Sequence, residues 1–223
     1  MNIDIELERR VAVHAALADV ARLRIVDALA VGDLAPSEIQ TAFGVPSNLL
    51  AHHLGVLERA GLVERSRSEA DRRRTYIRLA AGARELVGAS TFAAPQRIVF
   101  VCSANSARSQ LAAALWQRES SIPVASAGTH PAQAIARGAA DVAARRGLEL
   151  PSVQPRSIDD VRDPDDWVIT VCDAAHEELA GADTAHWSVP DPVRVGTATA
   201  YDDAYDEIAD RIRAVLPRLT PTR

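Results

Sequence analysis

The segment RIVFVCSANSARSQLAAALWQRES, residues 97–120, constrains the fold of this chain more than any other stretch. Its apolar, β-branched start, residues 97–101, is typical of a buried parallel strand. Its last part, residues 109–120, is rich in strong helix formers. The small residues between the two favour a tight loop that ends at a helix N-terminus. The sequence therefore predicts a strand, a loop and a helix of a parallel α/β sheet.

A loop in this position can bind an anion, because its backbone N–H groups and the positive end of the helix dipole point to one centre. Residues 102–109 are called the oxyanion loop below. The loop residues between and beside the two reactive side chains are Ser103, Ala104, Asn105, Ser106, Ala107 and Ser109.

Cys102 and Arg108 are the predicted reactive side chains of the oxyanion loop. The amides and the Arg108 guanidinium favour thiolate over thiol, so Cys102 is predicted to be a nucleophile at neutral pH. The Arg108 fork can bind two oxygens of a tetrahedral anion and hold its central atom against the sulfur. We expect Asn105 to brace the loop and the Ser109 hydroxyl to hydrogen-bond the thiolate.

The cysteine count excludes some classes of protein. Cys102 and Cys172 are the only two cysteines in 223 residues, too few for a secreted disulfide framework and too sparse for a structural zinc site. We predict no metal site. No stretch approaches the roughly 20 consecutive apolar residues of a spanning helix, so we expect a cytoplasmic protein with no membrane partner.

Residues 1–90 have the pattern of a DNA-binding domain. Helical periodicity runs through residues 11–30, a helix begins at Pro36, and another covers residues 47–60 after a turn of about three residues. The segment LVERSRSEADRRRTYIRL then follows and alternates at its end. Helices joined by a short turn and followed by a ribbon indicate a helix-turn-helix with a wing.

Charge and composition separate this part from the rest of the chain. The stretch 65–78 carries six Arg against Glu69 and Asp71, a local charge of +4 that suits DNA phosphates. The segment GASTFAAPQ, 88–96, reads as a linker. We therefore predict two domains, residues 1–90 and 96–223.

The segment SNLLAHHLGVLERAGLVERSRSEADRRRTYIRL resembles the recognition helix and wing of ArsR/SmtB-type winged-helix repressors, a likeness that extends over about residues 5–88. The resemblance implies a homodimer, formed through the winged-helix domain, that binds a double-stranded DNA operator. We expect helices 4–17 and 81–88 to form the dimer contact. The predicted DNA-contacting residues are Ser47, Asn48, Ala51, His52, Arg65, Arg67, Arg72, Arg73 and Arg74.

One alternative and one departure from the family's pattern bear on this domain. The arginine run could be only a solvated hairpin. The metalloid-sensing repressors carry cysteines in the helix before the turn, whereas the corresponding stretch here, ALAVGDLAPSEI, has none. Direct thiolate sensing of arsenite by this domain is therefore not expected.

The oxyanion loop in its strand–helix context resembles the active-site loop of the low-molecular-weight protein tyrosine phosphatase superfamily, which includes thiol-dependent arsenate reductases. The motifs SAGTHP, PRSIDD, VITVCD and HWSVPDP occur in the order that this family uses, over about residues 97–218. The resemblance implies Asp191 as the acid that protonates the leaving oxygen. The overall prediction is a mainly α winged helix-turn-helix followed by an α/β flavodoxin-like domain with a four-stranded parallel sheet.

Within that superfamily, three features look more like the arsenate reductase branch. They are Gln110 in RSQLAAA, the segments VCDAAHEEL and HWSVPDP, and Val193, which stands where tyrosine phosphatases carry an aromatic residue. Valine offers little stacking surface for a phosphotyrosine ring, and arsenate needs none. We therefore expect a thiol-dependent arsenate reductase with no bound cofactor. Its reductant would be an external small thiol of the glutathione or mycothiol type, or a thioredoxin-like protein.

Cys172 is a possible redox partner of Cys102. In thioredoxin-coupled reductases a further cysteine follows seven residues later, but Leu179 stands there, so a three-cysteine relay cannot operate. We favour the simpler interpretation, that Cys172 is a small apolar residue ending its strand. Two alternative functions remain for the domain. It could hydrolyse phosphate esters, or it could be a non-catalytic oxyanion or redox sensor that controls the repressor.

Overall fold

A computed structural model of the chain describes residues 3–80, 82, 83 and 91–220. The polypeptide divides into two compact units, residues 1–68 with 72–90 and residues 91–223 with 69–71. Most of the predicted helix 81–88 and the first part of the predicted linker 88–96 lie outside the described residues.

The first unit consists, over its described residues, of helices followed by a two-stranded ribbon. Its elements are α1 (Ile3–Leu17), α2 (Val20–Leu29), α3 (Pro36–Phe43), α4 (Ser47–Arg59), β1 (Val63–Arg67) and β2 (Thr75–Leu79). The strands of the ribbon are antiparallel, with Val63 opposite Leu79. The ribbon is the predicted wing.

The periodic run at residues 11–30 spans two helices, and the predicted helix 4–17 corresponds to α1. Asp19 adopts an extended conformation between α1 and α2, and its side chain accepts the backbone N–H of Arg22 at 3.0 Å. An aspartate in this role satisfies a free donor at the start of a helix. Periodicity continues across the break because both helices bury one apolar face in the same core.

The turn between α3 and α4 has the predicted length. Gly44 ends α3 with a left-handed φ of 63°, a conformation that glycine adopts without steric cost. Pro46 directly precedes α4. Helix α4 buries Leu50, Leu54 and Leu57, the residues whose spacing predicted its inner face.

The second unit alternates strands and helices along the chain. Its elements are β3 (Phe92–Ala93), β4 (Ile98–Cys102), α5 (Arg108–Glu119), β5 (Val124–Gly128), α6 (Arg137–Arg145), α7 (Ile158–Val161), β6 (Trp167–Thr170), α8 (Asp173–Leu179), β7 (Ala185–His186), α9 (Pro192–Val195), α10 (Ala198–Val215), the 3₁₀ turn Leu216–Arg218 and β8 (Leu219–Thr220).

Strands β5, β4, β6 and β7 form a parallel sheet in that order, which confirms the predicted four-stranded sheet for the described residues. Every residue of β4 is buried, as its continuous apolar run predicts. The Phe100 ring lies against Trp116 and Trp187, with ring centroids 5.9 and 5.5 Å apart. Val101 pairs with Thr170, so the carboxyl ends of β4 and β6 are adjacent.

Candidate active site and nucleic-acid interface

The oxyanion loop joins β4 to α5, and its carbonyl groups are bonded to a neighbouring segment. The carbonyls of Cys102, Ser103, Ala104 and Ser106 accept the N–H groups of Thr129, His130, Ala132 and Ala136 at 3.1, 2.8, 2.9 and 2.9 Å, respectively. A trans peptide directs its N–H opposite to its carbonyl, so carbonyls bonded outward leave the loop amides facing inward. Residues 129–136 therefore orient the anion-binding donors.

Two of these inward amides contact sulfur. The N–H of Asn105 donates to Cys102 Sγ at 3.2 Å, and the N–H of Ser103 donates to Cys172 Sγ at 3.2 Å. Ser109 Oγ lies 3.1 Å from Cys102 Sγ. The structure therefore brings the predicted nucleophile together with an amide and a hydroxyl that can stabilise a thiolate.

Asn105 takes a left-handed conformation, with φ of 48°, at the middle of the loop. Asparagine tolerates this region better than most other side chains. Its Nδ2 donates to Ser109 Oγ at 2.9 Å, which links the loop to the first turn of α5. The contact agrees with the bracing role expected for Asn105.

Arg108 begins α5 and is almost fully buried. Its Nη1 donates to the carbonyl of Val189 at 2.9 Å, and its Nη2 lies 3.2 Å from Asp191 Oδ2. Burial alone would lower the pKa of Arg108, but the neighbouring acidic groups, the two cysteines and Asp191, outweigh burial and raise the pKa. The guanidinium therefore stays charged beside the loop.

Asp191 precedes α9 and caps it, because Asp191 Oδ1 accepts the N–H of Val193 at 3.0 Å. The other carboxylate oxygen faces Arg108. Val193 follows with 45 % exposure at the rim of the same pocket. The predicted acid thus lies beside the predicted anion-binding arginine, and the rim carries an aliphatic side chain.

Cys172 packs in the hydrophobic core and also lines the candidate active site. It is 1 % exposed within the core and caps α8, with Sγ accepting the N–H of Ala175 at 3.5 Å. Burial and then the nearby Cys102 raise the pKa of Cys172, and these effects outweigh Arg108, the Ala175 amide and the Ser103 hydroxyl, which lower it. The residue is therefore a protonated thiol at neutral pH, and it is more than an apolar strand end because it contacts the oxyanion loop.

A pocket opens over these groups. Its lining in the second unit includes Cys102, Ser103, Ala104, Ser106, Ala107, Arg108, Cys172, Asp173, Ala174, Asp191, Val193 and Arg194. Both sulfurs, the guanidinium and the carboxylate therefore border one space. A small tetrahedral oxyanion is the ligand that this arrangement of donors fits.

Sequence reasoning missed the buried polar network next to Cys172. Asp173 Oδ1 contacts His186 at 3.1 Å, and Thr170 Oγ1 links His186 to Asp183 at 3.0 and 2.6 Å. His176 lies 2.7 Å from Asp183 and stacks on His186 with centroids 4.2 Å apart. Burial by itself would raise the pKa of Asp173 and Asp183. The hydrogen bonds that each carboxylate accepts have the larger effect, so both pKa values are lowered. The network anchors α8, which carries Cys172 at its start.

Gly128 approaches the oxyanion loop closely, a contact that the motif SAGTHP did not reveal. A Cβ atom at this position would lie 2.6 Å from the carbonyl oxygen of Ser103. Real Cβ atoms do not approach backbone so closely, so only glycine lets β5 pass beneath the oxyanion loop. The glycine within that motif was the sequence feature that could have indicated this close approach.

The outer face of α4 presents the side chains predicted to contact DNA. Ser47, Asn48, Ala51 and His52 are all exposed, whereas His53 is buried. Leu49 is also exposed, at 44 %, and was not predicted to belong to this face. Short polar side chains and a histidine on one exposed helix face suit contacts with base edges.

The wing carries its arginines at the surface, but not all of them as free charge. Arg65, Arg67, Arg72 and Arg73 are exposed and Arg74 is half-buried. Arg65 Nε lies 2.5 Å from Glu58 Oε1, and Arg78 Nε lies 2.6 Å from Glu64 Oε1. Two arginines of the run are thus paired with acids outside it, and the wing is less basic than the local charge of +4 indicates.

No group of three or more His, Cys, Asp or Glu side chains in residues 3–80, 82, 83 and 91–220 is arranged to hold a metal ion. No helix within the same ranges combines the length and apolar character needed to cross a bilayer.

Family models match both parts of the chain. Residues 97–222 match the model described as low molecular weight phosphotyrosine protein phosphatase. Residues 17–66 match the model described as helix-turn-helix domain. The two matches correspond to the two units that the structure describes.

Solved structures resemble the second unit. An arsenate reductase from Archaeoglobus fulgidus is 24 % identical, with 53 % of this chain and 98 % of that one covered and a TM-score of 0.44. The YwlE arginine phosphatase from Geobacillus stearothermophilus is 25 % identical, with coverages of 54 % and 90 % and a TM-score of 0.46. A low molecular weight protein tyrosine phosphatase from Streptococcus pyogenes is 18 % identical, with coverages of 56 % and 93 % and a TM-score of 0.48.

Proposed function

The chain belongs to the low molecular weight phosphotyrosine protein phosphatase family, and from this premise we propose that it is a DNA-binding transcription regulator fused to a thiol-dependent arsenate reductase. One observation carries the reductase proposal. Both cysteines contact the same loop, since Asn105 N–H donates to Cys102 Sγ and Ser103 N–H donates to Cys172 Sγ, each at 3.2 Å. Ester hydrolysis uses one thiol, whereas reduction of arsenate consumes two.

Substrate binding uses the loop amides and Arg108. Arsenate is a tetrahedral oxyanion, and the buried guanidinium can bind two of its oxygens while the amides bind another. The sulfur of Cys102 then lies against the arsenic atom. Binding in this geometry prepares an in-line attack.

The first chemical step forms a bond from Cys102 Sγ to arsenic and breaks one arsenic–oxygen bond. Asp191 donates the proton that lets the oxygen leave as water. Arsenic remains As(V) in this adduct, and Arg108 neutralises charge on its remaining oxygens. Asp191 lies beside the arginine that binds the oxyanion, with 3.2 Å between Asp191 Oδ2 and Arg108 Nη2.

The second step transfers two electrons. A second thiolate attacks Cys102 Sγ and forms a disulfide, while the electron pair of the sulfur–arsenic bond stays on arsenic and yields As(III) as arsenite. The attacking thiol is either Cys172 or an external small thiol of the glutathione or mycothiol type. An external thiol, or a thioredoxin-like protein, then reduces the disulfide.

Arsenate turnover by the purified full chain tests the proposal. The assay measures arsenite released with glutathione, mycothiol or a thioredoxin system as the reductant. Activity in wild type and its loss in Cys102→Ser are expected. An inactive wild type with every donor would contradict the reductase proposal.

Phosphate ester hydrolysis is the second candidate, favoured by the family match at residues 97–222. Cys102, Arg108 and Asp191 are sufficient for attack, anion binding and protonation of the leaving group. Turnover of p-nitrophenyl phosphate that disappears in Cys102→Ser, without arsenate reduction, would favour this function. The aliphatic Val193 at the pocket rim argues against an aromatic phosphoester as the preferred substrate.

The first unit is proposed to bind a double-stranded DNA operator as a homodimer. Support comes from the helix-turn-helix match at residues 17–66 and from the exposed polar face of α4. Whether the second unit also senses an oxyanion for the regulator is tested by electrophoretic mobility shift. Unchanged DNA affinity with arsenate, arsenite and phosphate would remove the sensor alternative.

A further inference from the structure

The side chain of Asn105 is held by residues from outside the oxyanion loop. Asn105 Oδ1 accepts the backbone N–H of Arg156 at 2.8 Å and the Nε2 amide of Gln110 at 3.1 Å. Gln110 Nε2 also lies 3.0 Å from Ser152 Oγ, whose hydroxyl donates to the carbonyl of Gln154 at 2.6 Å. Gln110, Ser152 and Arg156 are called the Asn105 clamp below.

The clamp determines the direction of the hydrogen bonds that reach the thiol. Because Asn105 Oδ1 is occupied by two donors, its Nδ2 is the atom that faces Ser109 Oγ at 2.9 Å. Ser109 Oγ accepts that hydrogen, so its own hydroxyl hydrogen is directed at Cys102 Sγ, 3.1 Å away. A sulfur that receives a hydroxyl hydrogen is stabilised as the thiolate.

The amide orientation in which Gln110 donates to Asn105 leaves the side-chain oxygen of Gln110 without a hydrogen bond in the described part of the chain. Gln110 Oε1 is buried and has no hydrogen-bond partner among the described residues. Rotating the amide by half a turn would place that oxygen against two acceptors, Asn105 O and Asn105 Oδ1, which now lie 3.2 and 3.1 Å from Nε2. An unpartnered buried oxygen is destabilising, so the orientation of Gln110 is set by Asn105.

We propose that Gln110 and Ser152 are positioning residues that act through Asn105 to make the Ser109 hydroxyl a donor to the Cys102 thiolate. The inference rests on the proposed function only in that Cys102 is the nucleophile. It applies equally to arsenate reduction and to phosphoester hydrolysis. The clamp joins Gln110 in the first turn of α5 to Ser152 in the segment before α7, and neither of these two residues lines the pocket over Cys102.

The test measures alkylation of Cys102 by iodoacetamide over a pH series in the full chain. Peptide mass spectrometry separates Cys102 from Cys172. In Gln110→Met, which keeps the length of the side chain but loses its amide, we expect alkylation near neutral pH to slow about fivefold, the effect of one lost hydrogen bond. The half-maximal pH should also move upward.

Further variants separate positioning from folding. Ser152→Ala should shift the profile in the same direction by less, and Ser152→Thr, which keeps the hydroxyl, should restore it. Gln117→Met, on the exposed face of α5, is the matched control and should leave the profile unchanged. Thermal denaturation establishes that each variant is folded, and Ser152→Ala decides the matter if Gln110→Met is not.

Two outcomes distinguish this inference from the proposed function. A wild-type profile in folded Gln110→Met and Ser152→Ala overturns the clamp, even where arsenate is turned over. A shifted profile in a protein that reduces no arsenate supports the clamp and removes the reductase function.

Discussion

The backbone N–H of Ser103 donates to Cys172 Sγ at 3.2 Å, so the loop that surrounds one cysteine also holds the other. The two residues are far apart in sequence but follow the adjacent strands β4 and β6. The two thiols therefore border the same loop from adjacent strands.

Replacing Cys172 by Ser tests whether the internal thiol takes part in reduction. Without it no Cys102–Cys172 disulfide can form, so a single turnover with arsenate and no external thiol should release no arsenite. Non-reducing mass spectrometry of wild type should show the disulfide after the same treatment. If wild type hydrolyses p-nitrophenyl phosphate, that activity should survive the substitution, because ester hydrolysis uses Cys102 alone. Unchanged arsenate turnover in Cys172→Ser with a small-thiol donor would eliminate the relay role.

The rate of internal disulfide formation should rise with pH above neutrality. Burial and the nearby Cys102 raise the pKa of Cys172, so little of it is the attacking thiolate at pH 7. The thiolate fraction grows as the pH approaches the raised pKa, and the single-turnover rate follows. Rapid-quench measurement of arsenite at increasing pH gives the profile. A flat profile from pH 7 to pH 9 would count against Cys172 as the attacking group.

Gly128→Ala should weaken anion binding as well as stability. The added Cβ would lie 2.6 Å from Ser103 O, and overpacking of this kind costs about 1–3 kcal/mol. Gly147→Ala is the control, because its left-handed φ of 65° is strained by roughly 1–2 kcal/mol but nothing lies within 4 Å of the new Cβ. Both variants should unfold at lower temperature, and only Gly128→Ala should lose arsenate affinity by calorimetry. Equal arsenate affinities would refute the close approach.

Asp166→Asn should reduce stability at neutral pH but not in acid. Arg97 donates to both oxygens of Asp166, at 2.7 and 2.6 Å, and these hydrogen bonds lower the pKa of the carboxyl despite burial. The contribution, about 1–3 kcal/mol, is complete above the unfolded pKa of about 4 and disappears as the pH falls through the lower folded pKa. Urea denaturation of both proteins at pH 7 and in acid measures it. A difference that persists in acid would contradict the ion pair as its source.

Replacing Arg72, Arg73 and Arg74 by Ala should weaken DNA binding and its dependence on salt. Each lost phosphate contact should reduce the slope of log affinity against log salt by roughly 1. The assay is fluorescence anisotropy with a short duplex from the region upstream of the coding sequence. Arg137→Ala, an exposed arginine of the second unit, is the control and should behave as wild type. A wild-type salt slope in the triple variant would exclude the wing from phosphate contact.

Local patterns in the sequence were sufficient for most of the secondary structure near the site. The apolar run before Cys102 and the alanine-rich run after Arg108 predicted β4 and α5 because their propensities agree with their environment. The run of helical periodicity at residues 11–30 does not mark the break at Asp19, where a side-chain cap begins the second helix. Periodicity reports which face is buried, and both helices bury theirs in one core.

The sequence by itself determined the oxyanion loop, the cysteine and arginine that flank it, and the exposed face of α4, because each depends on residues close together in the chain. Only the tertiary structure decided what surrounds them. The pairing of β4 with β6 brings Cys172 to the loop, residues 129–136 bind its carbonyls, and the Asn105 clamp orients its hydrogen bonds. These contacts join residues remote in sequence, and their distances follow from strand order and packing, which no local pattern encodes.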